Sequence, residues 1–220
     1  LPERGLAVLI PAPARAALLC LIAGYVDAIG YLDYAHVFAA NMTGNTVLLS
    51  ISVAQGEWAR VLTYALTLAA FLAGALAAEG FKRAHVRATL PLLLSGVPLI
   101  AVYALDLQDN WALATLALGM GLQGGAVARF ADVNVQTVVI TGTMLKLAEA
   151  AIYRLLPLRG AGPVIPPHAL SVFWLTWLSY AAGAVLSLAA KELGLFKLLL
   201  PLVVLMPVAF SEDGPRPSHP

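Results

Sequence analysis

Few residues in this chain have the type and setting for chemistry. Asp27 stands inside an otherwise apolar run. Placing such a charge at the centre of a bilayer costs roughly 2.5–3.5 kcal/mol on insertion scales, so it faces a cavity or a partner, and its expected role is proton or ion coupling. The second feature is the polar stretch Asn41-Met42-Thr43-Gly44-Asn45-Thr46, and the third is a related stretch, Gln136-Thr137 followed by Thr141-Gly142-Thr143. Each is a polar, glycine-containing knot in apolar sequence. Thr43 and Thr141 are N-cap types, and Gly44 and Gly142 permit close backbone approach. Backbone that breaks at membrane depth is tolerated where it lines a cavity or is buried in protein. The plainer alternative is two ordinary helix starts at the membrane surface. On the cavity reading, Asn41, Thr43, Gly44, Asn45, Gln123, Gln136, Thr137, Thr141, Gly142 and Thr143 bind solute.

The elements that must position these residues are apolar. The chain has 220 residues, 60% hydrophobic and 11% charged, with mean hydropathy +0.85. A soluble domain is nearer one-quarter charged, so a polytopic membrane protein is expected. A net charge of +1 gives no reason to expect a nucleic-acid partner. The single Cys20 and the scattered His36, His85, His168 and His219 form neither a disulfide framework nor a metal-ligand spacing, and no cofactor is expected.

Six apolar spans are expected: about 16–32, 61–78, 88–105, 111–130, 170–189 and 195–210. Two β-prone runs, 37–40 and 133–140, precede the knots, and short helices at 47–53 and 145–152 follow them. The start of the chain, with Arg4 and Arg15 beside an apolar run, has the look of a signal-peptide n-region; with further spans following it, it is read as a cytoplasmic N-terminus. Residues 211–220 read as a disordered tail.

The two halves look like copies. Thr141 follows Thr43 by 98 residues, as Gly142 follows Gly44. Further on, 71–75 matches 180–184 at an offset of 109, which fits an insertion in the loop 156–167. Repeat one is placed at 12–106 and repeat two at 110–210. With re-entrant broken elements and a cytoplasmic N-terminus, Arg4, Arg15, Lys82, Arg83, Arg87, Arg129, Arg154 and Arg159 fall on one side, while Arg60 and Lys191 lie opposite. The positive-inside rule then favours inverted copies and cytoplasmic termini. The expected fold is an all-α polytopic membrane protein of two inverted repeats, each with three transmembrane helices plus one broken strand/half-helix element. Gly121 and Gly125, Ala70, Gly74 and Ala78, and Ser179, Gly183 and Ser187 have the small-xxx-small spacing of close helix contacts.

The segment 24–32, GYVDAIGYL, followed by 39–49, AANMTGNTVLL, resembles the YoaK-like family of bacterial membrane proteins, a domain of unknown function. Gly119 to Gln123, Gln136-Thr137 and Thr141-Gly142-Thr143 look like its second motif, from which Gly124-Gly125 departs. The resemblance implies an integral membrane protein of the bacterial cytoplasmic (inner) membrane and names no substrate. The strand-then-half-helix pairs are more distantly similar to the core of nucleobase and sulfate permeases.

The glycines at 119, 121 and 124 fit a nucleotide-binding spacing but lack the strand and acidic residue that it needs. HExxH and GxSxG are both missing from the sequence, and an enzyme is not expected. The functional expectation is a small transporter or permease for a small polar solute or anion, with Asp27 as the expected site of proton coupling, in lipid bilayer and as a homodimer. A non-transporting scaffold or regulatory subunit is the alternative from a different class.

Overall fold

The computed structural model describes residues 10–126, 140–155, 169–193 and 198–211. Within them lie α1 (Ala12–Asp33), α2 (Met42–Gln55), α3 (Trp58–Arg83), α4 (Thr89–Ala104), α5 (Asp109–Ala126), α6 (Ile140–Leu155), α7 (Ala169–Glu192) and α8 (Leu200–Phe210). The expected spans coincide with α1, α3, α4, α5, α7 and α8; residues 127–130 of the fourth span and 195–197 of the last lie outside the described residues. Among the described residues, three helices are long and apolar enough to cross a membrane: Ala12–Asp33, Trp58–Arg83 and Leu170–Glu192; Thr89–Ala104 and Leu200–Phe210 are shorter and apolar.

The described residues contain no β-strand. The expected β-prone run at 37–40 is irregular backbone, because no second strand lies beside it to take its hydrogen bonds. Most of the run at 133–140, with Gln136 and Thr137, lies outside the described residues. The helices after the knots are longer than the sequence pattern implied; in α2, Thr46 and Ser50 bond back to carbonyls four residues earlier and sit inside the helix. Thr46 Oγ1 donates to Met42 O at 2.9 Å and Ser50 Oγ to Thr46 O at 2.9 Å. Helix α2 stops at Gly56, which takes the left-handed conformation (φ 72°) and donates its N–H to Ser52 and Val53.

Glycine contacts set the tightest crossings. A Cβ on Gly24 would collide with the backbone of Tyr180, and one on Gly183 with the backbone of Leu21. The α3–α5 crossing is built the same way: a Cβ on Gly74 would strike Leu118, and one on Gly121 would strike Phe71. Without side chains at these points, backbones approach to a distance that dispersion contacts reward. Helices α3 and α5 run parallel. Thr63 donates to Asn110 at 2.6 Å near their starts, and Gly125 lies against Ala78 near their ends. Helices α1 and α7 are also parallel, with Lys191 and Asp33 paired at 2.7 Å near their C-termini. Helices α1 and α5 are antiparallel: Gln123 Nε2 donates to Leu19 O at 3.1 Å, while a Cβ on Gly30 would lie 3.3 Å from Leu113.

The segment 34–57 therefore leaves α1 and enters α3 at the same end of the bundle. Lys82, Arg83 and the start of α1 lie at the other end.

The packed pairs are α3·α5, α1·α7, α4·α5, α2·α3, α6·α7, α1·α8, α4·α8 and α1·α5. Exchanging α1 with α5, α2 with α6, α3 with α7 and α4 with α8 converts this set into itself. The pairs also sort into two lobes. One is α2–α5; the other is α1 with α6–α8. Among the described helices, α1·α5 and α4·α8 are the substantial pairings between them. Helix α1 thus packs into the lobe made by the other half of the sequence.

Candidate functional site

Asp27 is on the buried face of α1, sixteen residues into a helix of 22, and is 3% exposed. Its surroundings are donors. Oδ1 accepts the Ala40 N–H at 2.5 Å and the Asn41 N–H at 3.3 Å. Oδ2 accepts the hydroxyl of Tyr180 from α7. One carboxylate therefore ties the irregular segment before α2 to the opposite half of the chain. Among the described residues the carboxyl group is held by hydrogen bonds rather than by a cation, the arrangement a buried carboxylate needs when no Lys or Arg pairs with it.

Asn45 closes the same segment from the other side. It is fully buried. Its Oδ1 accepts from Phe38 N–H at 3.0 Å and its Nδ2 donates to Phe38 O at 2.6 Å. Both polar ends of the side chain grip the N–H and C=O of one residue, Phe38, which satisfies backbone groups that a missing sheet partner would otherwise leave bare. Phe38 in turn stacks on Tyr31, ring centroids 5.1 Å apart. Val37, Ala39 and Ala40 are buried beneath α1 and α5.

The helix start differs from the expectation that Thr43 caps it. Asn41 is the N-cap, and its side chain accepts the Gly44 N–H at 3.1 Å. Asn outranks Thr at this position because its side-chain oxygen reaches the N3 amide. Thr43 lies inside the first turn and is exposed. A Cβ on Gly44 would stand 3.1 Å from Asn41 Nδ2 and 3.2 Å from the Phe38 ring. Asn41 and Asn45 therefore hold the segment together through contacts within the chain. In the second knot the helix begins at Ile140, one residue before Thr141. Thr141, Gly142 and Thr143 lie in its first turn, with Gly142 half-buried and the side chains of the two threonines outside the described set.

Gln123 is fully buried on α5. Its Nε2 reaches across to α1 at Leu19, and its Oε1 has no hydrogen-bond partner among the described residues. The hydroxyl of Tyr25, 2% exposed on α1, is likewise unpartnered. Among the described residues no group of three or more His, Cys, Asp and Glu could hold a metal.

Sequence reasoning missed Tyr180 and Tyr25. The only signal for Tyr180 was its place three residues before Gly183, at the point where the small-residue stripe brings another helix close.

The chain is 28% identical over 200 residues to UPF0700 transmembrane protein YoaK of Bacillus subtilis (strain 168), covering 86% of this chain and 88% of that protein. No solved structure matches it, so the distant likeness to nucleobase and sulfate permeases gains no support. The transmembrane relative and the long apolar helices make this a multi-pass membrane protein. Residues 15–211 match the family described as "Protein of unknown function (DUF1275)", and the chain belongs to that family.

Proposed function

We propose that the protein is a small permease of the bacterial inner membrane that moves a polar solute between its two broken elements, with Asp27 coupling the movement to protons. The observation that carries this reading is the buried Asp27 carboxylate, which holds the break before α2 on one side and Tyr180 of α7 on the other. Its donors fix where a proton can enter. Oδ1 faces two backbone N–H groups that can only donate. Oδ2 faces a hydroxyl that can also accept. A proton arriving on Oδ2 turns Tyr180 from donor to acceptor and leaves the Oδ1 clamp in place.

The reading includes two inverted units. The antiparallel course of α1 and α5 supports it, as does a packing scheme unchanged when the halves are exchanged. Lys82, Arg83 and the start of α1 at one end are assigned to the cytoplasm by the positive-inside rule. Alternating access then follows from motion of α2–α5 against α1 with α6–α8, since α1·α5 and α4·α8 are the pairings that hold these lobes together. Exposed Leu62, Leu72 and Leu76 on α3 and Val47 and Ile51 on α2 suit contact with lipid or a second copy.

Flux into proteoliposomes under an imposed pH gradient tests the proposal. Gradient-driven flux in the wild type that Asp27→Asn removes is the expected result. In a Cys20→Ala background, a Gly96→Cys/Leu202→Cys disulfide across the lobes should stop transport. A Thr63→Cys/Asn110→Cys disulfide within one lobe should not. Equal flux in both locked forms would sink the moving-lobe mechanism.

The scaffold reading has one observation in its favour. Asp27, Asn41 and Asn45 all bond to the chain itself, as a purely structural knot requires. Absence of flux for every solute and ion tried, with the fold intact, would establish it.

A further inference from the structure

The glycine contacts match the two halves residue by residue. Gly24 meets Tyr180 in the α1–α7 crossing, and Gly121 meets Phe71 in the α3–α5 crossing. Gly183 meets Leu21 and the amide nitrogen of Tyr25, and Gly74 meets Leu118 and the amide nitrogen of Leu122. Both sets of contacts give one register: α1 maps onto α5 at an offset of 97 residues, and α3 onto α7 at an offset of 109. That register puts Gly124 at the place of Asp27 and Phe71 at the place of Tyr180. The hydrogen bond that joins α1 to α7 therefore has no counterpart between α5 and α3. One position there has no side chain, and the other has no hydroxyl.

The difference extends through the lobe. Helix α3 has no ionisable side chain between Tyr64 and Glu79, and α5 has none from Asn110 to Ala126. Helix α2 has none at all, and α4 has only Tyr103. Among the described residues Asp27 is the one buried carboxylate, and Glu149 on α6 is exposed. The backbone plan is doubled, and the acid–base chemistry inside it is single. A proton is held at membrane depth by a group that ionises there and by partners that satisfy both of its forms. The α1–α7 crossing has such a group in Asp27, with Tyr180 able to donate or accept. The matched α3–α5 crossing has none.

We infer that each chain has a single proton-coupling site, confined to the lobe of α1 with α6–α8, and so moves one proton per transport cycle. This rests on the permease reading and fixes its stoichiometry, which the repeated architecture alone would put at two.

Steady-state solute ratios in proteoliposomes test the inference. The probes are radiolabelled glycine, mannitol and sulfate, under a gradient of about one pH unit, with the membrane potential held at zero by potassium and valinomycin. One proton per solute then sustains about a tenfold concentration ratio, in either direction, and two sustain about a hundredfold. The expected result is about tenfold for at least one probe in the wild type and no ratio in Asp27→Asn, with size-exclusion profiles in detergent to show both proteins folded. The wild-type ratio alone decides between one site and two, so the test does not depend on the variant. A ratio of about a hundredfold overturns the single site and leaves the permease standing. The wild-type ratio retained in Asp27→Asn also overturns it, by placing coupling outside the α1–α7 crossing. Entry of a probe without any ratio in the wild type overturns proton coupling and the stoichiometry with it. No entry of any probe overturns the permease reading as well.

Discussion

Asp27 and Tyr180 are 153 residues apart in sequence and share a hydrogen bond in the interior of the protein. The first lies beside a glycine contact, Gly24 on Tyr180, that brings α1 and α7 together at that level. Asp27→Asn should keep the fold within about 1 kcal/mol, because Oδ1 still accepts the loop amides and Nδ2 can donate to the tyrosine oxygen. Asp27→Leu should cost about 2–3 kcal/mol, since the Ala40 amide is then buried without an acceptor. Tyr180→Phe should cost about 1 kcal/mol. Thermal unfolding in detergent, ranked across the three variants, checks the order. Asp27→Leu as stable as Asp27→Asn would remove the clamp.

Asn45→Ala should destabilise by about 2–3 kcal/mol, because the backbone N–H and C=O of Phe38 both lose their partner. Asn45→Asp should also destabilise, as a carboxylate oxygen would then face the Phe38 carbonyl. The measurement is again unfolding in detergent. An Asn45→Ala protein with native stability and altered solute flux would return this residue to the binding set.

Gly183→Leu and Gly24→Leu should each prevent the α1–α7 approach, since the added carbons meet backbone and not a side chain that can swing away. Overpacking of this kind costs typically 1–3 kcal/mol or more. Gly80→Ala is the control: nothing lies within 4 Å of its Cβ position, and the exchange should be neutral or stabilising by up to about 1 kcal/mol. Yield of folded protein and its unfolding temperature separate the two groups.

Single cysteines in a Cys20→Ala background report the sides of the membrane. A cysteine at His85 should be closed to an impermeant reagent applied outside intact cells, and one at Gln108 should be open. The reverse pattern would turn the proposed orientation over. Labelling at both positions from outside would instead contradict their placement at opposite ends of the bundle.

Much of the architecture was legible because packing wrote it into residue type. Gly74, Gly121 and Gly183 have small-residue spacing for a backbone that passes close by, and each meets one. Asp27 stood out because a charge in an apolar run needs a reason. The N-cap was misplaced because Thr43 and Asn41 are both good cap types, and only geometry decides which reaches the amide. The grip of Asn45 on Phe38 spans seven residues of irregular backbone, for which no periodicity exists. Tyr180 was missed for the same reason on a larger scale. Contact between α1 and α7 depends on the way the halves interlock, and no spacing along the chain records it.

That interlocking bears on how the protein is made. Lobe α2–α5 is contiguous in sequence, so it can assemble as soon as residue 126 has been synthesised. The other lobe cannot. Its first helix emerges at the outset, and its partner α7 begins only at Ala169. At synthesis rates of about 5–20 residues per second, α1 waits on the order of 10 s for that partner. Through that interval the glycine face of α1 and the Tyr180-facing oxygen of Asp27 have nothing to pack against. Helix α1 thus reaches its seat only after α7 has been made, long after its own synthesis. A nascent chain cut short before α7 would keep one oxygen of the Asp27 carboxylate without its tyrosine donor in that span.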